Sequence, residues 1–147
     1  MEIIEIRENK KRYLGLLLLA DEQEDMVDRY LDRGRMYVLE DGGVKCECVV
    51  TDEGEGILEI KNIATVPEFQ GRGYARALIG FLIREYRGKY VLLQVGTGDS
   101  PLTVPFYEKC GFVRSHRIPN FFTDNYDRPI FEEGVQLVDM VYLRQPL

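Results

Sequence analysis

Three observations predict a mixed α/β fold, an α+β arrangement of one central sheet packed by helices. Short β-rich runs flank turn signals near both ends of the chain, and a strand–helix–strand passage occupies the middle. At 147 residues the chain is long enough for one hydrophobic core without cross-links. Hairpins imply antiparallel pairing and the β-α-β passage implies a parallel pair, so the sheet is mixed. No repeat or linker divides residues 1–147, which are expected to form a single domain.

Met1 to Arg7 alternates sufficiently for a first strand. Asn9 to Arg33 is helical in character, as two helices broken near Ala20-Asp21. Asp21 is expected to cap the second, with Glu24 three residues on as its capping-box partner. The run Leu16-Leu17-Leu18-Leu19-Ala20 reads as a buried helix face. Arg35 to Leu39 and Val44 to Val50 are strands joined by the hairpin signal Glu40-Asp41-Gly42-Gly43. After the turn-rich Asp52-Glu53-Gly54-Glu55-Gly56 comes a strand from Ile57 to Val66. Ala75, Leu78, Ile79, Leu82 and Tyr86 then recur at helical spacing, and Gly88 supplies a stop. Tyr90 to Val95 has the composition of a buried strand. A further helix ends at Gly111; Pro105 fits it only in the first turn, with Thr103 as cap, because those amides are unpaired in any helix. Phe112 to Ile118 and Val135 to Leu143 are the last two strands, and the element order is β, αα, βββ, α, β, α, ββ.

Composition narrows the functional classes. A net charge of −6 argues against nucleic acid as a partner. No apolar run approaches the roughly 18–20 residues of a membrane span, and Met1-Glu2-Ile3-Ile4-Glu5-Ile6-Arg7 lacks the features of a signal peptide. A cytoplasmic location is expected. Three cysteines fit a reducing compartment. Cys46 and Cys48 share one strand face and are expected to pack as small hydrophobes. The lone His116 cannot complete a zinc site with them, and no metal is implied.

The most informative stretch is Gln70-Gly71-Arg72-Gly73-Tyr74-Ala75, which closes the Ile57–Val66 strand and opens a helix. A glycine turn aiming helix N-terminal amides into a strand–helix junction holds phosphate. It is not a Walker A loop, since Tyr74 and Ala75 follow Gly73 where Lys-Ser/Thr is required. It is not a dinucleotide fingerprint either, since Arg76 stands where a third glycine or alanine belongs.

The stretch does match Gln/Arg-x-x-Gly-x-Gly/Ala at every constrained position, and there the chain resembles the GNAT family of N-acetyltransferases. The likeness continues through Ile63-Ala64-Thr65-Val66-Pro67-Glu68-Phe69 before the turn and Phe106-Tyr107-Glu108-Lys109-Cys110-Gly111-Phe112 after it. The element order is similar along nearly the whole chain. The resemblance implies a mostly antiparallel sheet of about seven strands with about four helices, splayed between the fourth and fifth strands. It implies acetyl-CoA as co-substrate. Amides from Gly71 to Arg76 would face the pyrophosphate, Gly71 and Gly73 letting the backbone approach, with Arg72 or Arg76 adding charge. Gln70, Tyr74 and Ala75 belong to the same cradle. The backbone around Ile63, Ala64 and Thr65 would pair with the pantetheine arm.

Acetyl transfer needs a neutral amine, and stripping the proton from a lysine-like amine at neutral pH costs about 4–5 kcal/mol. Glu59, eleven residues before Gln70, resembles the glutamate that serves as base in the histone-acetylating branch of the family. A solvated strand-edge glutamate paired with Lys61 is the plainer reading of the same residue. Tyr107 occupies the family's tyrosine position, implying a general acid for the departing thiolate. Ser100 stands where many members have an asparagine that contacts pantetheine and could hydrogen-bond the cofactor in its place, and Thr103 stands where a small residue is usual. His116 is expected to be structural.

Pro119 to Gly134, a long connection mixing aromatics with acids, corresponds to the family segment bordering the acceptor. Its aromatic faces and carboxylates suit a cationic amine; a self-packed loop or a homodimer contact explains the composition equally. The resemblance thus implies acetyl transfer from acetyl-CoA to a primary amine, of a small molecule or a protein, directly in a ternary complex. The alternative is a non-catalytic acyl-CoA-binding sensor or interaction module on the same fold.

Overall fold

The computed structural model describes residues 1–147. It begins with strand β1 (Glu2–Ile6), a 3₁₀ turn (Lys10–Tyr13), α1 (Leu14–Ala20) and α2 (Glu24–Asp28). Next come β2 (Arg35–Glu40), β3 (Val44–Asp52), β4 (Ile57–Thr65), a 3₁₀ turn (Pro67–Phe69) and α3 (Tyr74–Tyr86). The remainder is β5 (Leu92–Gly98), α4 (Val104–Lys109), β6 (Val113–Ile118), α5 (Phe121–Asn125), β7 (Phe131–Glu132), β8 (Val135–Gln136) and β9 (Met140–Pro146). Seven strands form one sheet in the order β1-β2-β3-β4-β5-β9-β6, and β7–β8 is a separate two-stranded hairpin. All sheet pairs are antiparallel except β4–β5. The predicted mixed, mostly antiparallel sheet is present.

The sheet is buried on both faces, and β2 shows how. Tyr37 and Leu39 face the larger core with Leu78, Ile79, Leu82 and Tyr86 of α3, while Met36 and Val38 face a smaller core with Leu17, Val27 and Leu31. Alternation with period two places one apolar set on each side of the strand. The α3 positions Leu78, Ile79, Leu82 and Tyr86 are the ones the helical spacing picks out, and Gly88, just past the helix, adopts the left-handed conformation of a helix stop. Cys46 and Cys48 lie buried in the larger core. Burial pushes the Cys46 thiol up to about 12, which keeps it protonated and inert.

Several expectations are corrected. Asp21 does not cap α2. It ends α1, Gln23 holds the N-cap position, and the Asp21 carboxylate is spent on two tyrosine hydroxyls. In the leucine run only Leu17 is fully buried, and Leu19 is half exposed, because the short helix lays one stripe on the sheet. The strand expected at Tyr90–Val95 runs instead from Leu92 to Gly98. The strand expected at Val135–Leu143 divides into β8 and β9, since the amide of Leu137 turns aside to the carbonyl of Ile130. The connection from Pro119 to Gly134 is not structureless; it holds α5 and the start of the small hairpin. Thr103 does precede α4, with Pro105 in the first turn, but its hydroxyl bonds Thr97 and the Gly98 carbonyl rather than capping the helix.

Candidate active site

The parallel ladder between β4 and β5 covers only Ile57–Ile60 against Leu92–Val95. Beyond it the strands part, and β5 continues paired to β9 alone. Two glycines lie on this stretch. A Cβ at Gly96 would come within 2.6 Å of the Met140 sulfur, and one at Gly98 within 2.5 Å of the Leu137 side chain. The bare backbone lets those side chains close on β5 where it runs free of β4. The gap opens into a cleft of about 740 Å³.

At one end of the cleft stands the glycine turn. Gly71 and Gly73 have φ of +78° and +86°, a region costly for any residue with a side chain, and a Cβ on either would meet nothing within 4 Å. The glycines are therefore required by the backbone, and the space before them is open to a ligand. Gln70, Gly71, Gly73, Tyr74, Ala75 and Arg76 line the cleft. The Tyr74 hydroxyl donates to Asp41 at 2.7 Å, tying the start of α3 to the β2–β3 turn. Gln70 donates to the Thr65 carbonyl at 3.3 Å. Of the two arginines, Arg76 lines the cleft, whereas Arg72 lies over the Phe69 ring, 5.2 Å from its centroid. Ile63, Ala64 and Thr65 supply the β4 edge of the gap. Ser100 is turned inward: it is buried, its hydroxyl accepts the Leu102 amide at 3.0 Å, and it does not border the cleft. Its side chain completes a turn, and the contact the resemblance implied for it has no support in this geometry.

Glu59 is not at a solvated edge. It is 4 % exposed, on a central strand, and faces the cleft. Its Oε1 accepts the Gln94 amide at 2.5 Å. Its Oε2 lies 2.8 Å from Lys61 Nζ and 3.4 Å from the Tyr142 hydroxyl. The pairing with Lys61 is thus present together with burial, and a charge taken from water is matched by a cation and two donors. Tyr107 borders the same cleft from α4, and burial pushes its phenol up, so it keeps its proton. Tyr142 and Gln94 are not legible as site residues in the sequence; each is one polar group in a buried strand, and only the fold aims it at Glu59. His116 is exposed, its ring stacked on Tyr142 at 4.8 Å.

The other end is walled by α1, α2 and α5, through Leu19, Asp21, Tyr30, Phe121, Phe122 and Tyr126. Phe121, Phe122 and Tyr126 come from the connection the sequence singles out. Asp21 and Tyr30 reach the site from the α1–α2 region, where the sequence suggests only a helix cap.

A family model for the acetyltransferase (GNAT) domain matches residues 32–114, more than half the chain. The chain belongs to the GNAT acetyltransferase family. Along 139 residues it is 34 % identical to the uncharacterized N-acetyltransferase YvbK of Bacillus subtilis, covering 92 % of this chain and 90 % of that one. It superposes with TM-score 0.93 and 33 % identity on a GNAT acetyltransferase from Elizabethkingia anophelis with acetyl-CoA bound, over 99 % and 97 % of the two chains. A Bacillus subtilis acetyltransferase in complex with CoA gives TM-score 0.91 and 34 % identity, over 99 % and 98 %. This GNAT protein is an N-acetyltransferase, and the open glycine cradle, Arg76 and the free β4 edge fit the CoA moiety that those two relatives hold, as acetyl-CoA in the first and as CoA in the second. The splay between β4 and β5 is the one the resemblance implied. No helix is long and apolar enough to cross a membrane.

Proposed function

We propose that the cleft transfers acetyl directly from acetyl-CoA to a primary amine, with Glu59 as base and Tyr107 as acid. The donor enters along the β4 edge, its pyrophosphate against the amides from Gly71 to Arg76 and its arm beside Ile63, Ala64 and Thr65. Glu59, or a water it orients, takes one proton from the ammonium. The amine nitrogen then attacks the thioester carbonyl, the C–N bond forms and the C–S bond breaks. Tyr107 gives its proton to the leaving thiolate, the nitrogen's second proton leaves as the C–S bond breaks and restores the phenol through solvent, and the products are an amide and CoA. The acceptor is a primary amine of a small molecule or a protein. The observation that carries this reading is that Glu59 and Tyr107, from different elements, border one cleft whose far end is the glycine turn.

The protein acts in the cytoplasm, a setting that suits three unpaired thiols, two of them buried. Its acidic balance disfavours nucleic acid, and no membrane attachment is invoked. β6, an outer strand exposed along its whole length, is where a homodimer would form.

Thiol release from acetyl-CoA over a panel of amines tests the assignment. Release above background with at least one amine supports it. Binding of CoA with no release over any amine favours the non-catalytic sensor.

A further inference from the structure

The acceptor end of the cleft is bridged from wall to wall. The Tyr126 hydroxyl donates to Asp21 Oδ1 at 2.6 Å across 105 residues of sequence. The Asp127 amide donates to Gln23 Oε1 at 2.9 Å, and Arg29 Nη1 to Asn125 Oδ1 at 3.4 Å. All three bonds join the α1–α2 region to the segment that follows β6. The first is anchored inward: Asp21 Oδ2 accepts the Tyr30 hydroxyl at 2.8 Å, and Asn62 Nδ2 on β4 donates to Tyr30 at 3.0 Å and to the Leu17 carbonyl at 3.0 Å. Asp21 is only 9 % exposed, so both of its oxygens are committed to phenols in a dry setting. Behind this clasp lie rings packed on one another, Phe122 on Tyr126 at 5.6 Å and Phe121 on Phe122 at 5.3 Å.

We infer that the Asp21–Tyr126 clasp sets acceptor specificity: the cleft takes a compact primary amine with an apolar or aromatic body and excludes a lysine borne within a polypeptide. The inference rests on the acetyl-transfer reading of this cleft. A lysine borne within a chain needs a groove open at both ends, through which the flanking residues pass. Here the walls are joined, and a passing backbone would have to break the Asp21 bonds and leave a buried carboxyl without partners. A compact amine needs no such exit. The cleft, about 740 Å³ for donor arm and acceptor together, lies in the ~300–1,000 Å³ range of small-molecule sites. The aromatic wall supplies the contact surface a small apolar body requires.

Two conjugates test this whatever the natural acceptor is. In each, the CoA sulfur is joined through an acetyl unit to an amine, in one case 2-phenylethylamine and in the other the lysine of a Gly-Gly-Lys-Gly-Gly peptide. Affinities are measured against CoA alone by calorimetry. The phenylethylamine conjugate should bind at least tenfold tighter than CoA, and the peptide conjugate no tighter. Tyr126→Phe, and separately Asp21→Asn, should leave CoA affinity unchanged and bring the peptide conjugate's affinity above that of CoA. Equal gains for the two conjugates on the unaltered protein overturn the inference, as does no gain for either. A peptide conjugate still excluded from both variants overturns the role of the clasp. Failure of CoA itself to bind overturns the donor reading instead.

Discussion

Gln94 donates its amide to Glu59 Oε1 at 2.5 Å while its own carbonyl accepts Arg144 Nε at 2.9 Å. The two residues are opposite one another in the last stretch of β4–β5 pairing before the strands part. Arg144 thus sets which way the Gln94 amide points, and that direction presents a donor to the carboxylate. Glu59 is held at the mouth of the gap as an oriented acceptor.

Replacing Glu59 with Gln keeps the shape and removes the group able to take a proton. Acetyl transfer should fall by roughly 10²–10⁴, the usual contribution of a positioned base. CoA affinity should stay unchanged, because the cradle at Gly71–Arg76 is untouched. Thiol-release kinetics beside calorimetric titration of CoA checks both halves; full turnover by the variant would remove Glu59 from the chemistry.

Tyr107→Phe separates acid catalysis from packing. Burial holds the phenol above its ordinary range, so the proton is in place throughout neutral and mildly alkaline conditions. Turnover should drop by roughly 10²–10⁴ with little change in the acetyl-CoA KM. In the parent enzyme no loss of rate below about pH 10 should trace to this tyrosine. A phenylalanine variant as fast as the parent leaves Tyr107 as a packing residue only.

Gly73→Ala forces a side chain into a left-handed conformation at φ +86° and sets a methyl in the open space before the turn. The backbone term should cost about 1–2 kcal/mol of stability. The methyl should raise the Kd for CoA at least tenfold. Thermal melts with and without CoA separate the two effects. A variant that loses stability but keeps its CoA affinity would place the phosphates elsewhere.

Glu47 gives a test in stability rather than rate. It is fully buried on β3, its carboxyl has no side-chain partner, and the Ala64 backbone nearby offsets only part of the burial. Burial pushes its pKa well up, so the folded protein holds it neutral. Its unfolded value is near 4.3. The stability tied to that proton is complete below this point and drains away as pH rises toward the folded pKa. Glu47→Gln carries no such dependence. Its melting temperature should match the parent near pH 4 and exceed it at pH 8. Equal melting temperatures at both pH values would mean that Glu47 has found a partner.

What is legible in the sequence is local. The glycine turn, the strand before it and the spacing of Leu78, Ile79, Leu82 and Tyr86 each depend on residues within a few positions, and each forms where expected. Asp21 has only the look of a cap from the chain alone, because its partners, Tyr30 and Tyr126, lie 9 and 105 residues away. β5 reads as ending too early because Gly96 and Gly98 weaken any strand pattern, and the Met140 and Leu137 side chains that close on them are some forty residues on. Ser100 falls at a position that the family motif marks, while its real surroundings are set by the turn into α4.

The early end of the β4–β5 ladder also bears on how the enzyme holds together between catalytic cycles. From Asn62 to Thr65, β4 is laddered to β3 on one side and to nothing on the other. A strand with one neighbour exchanges its amides and breathes more readily than one with two. When a donor lies along that edge, the half-zipped strand gains its second neighbour. On the proposed pose, the single-sided rungs inside the sheet are those a substrate completes, and release of CoA returns them to one neighbour.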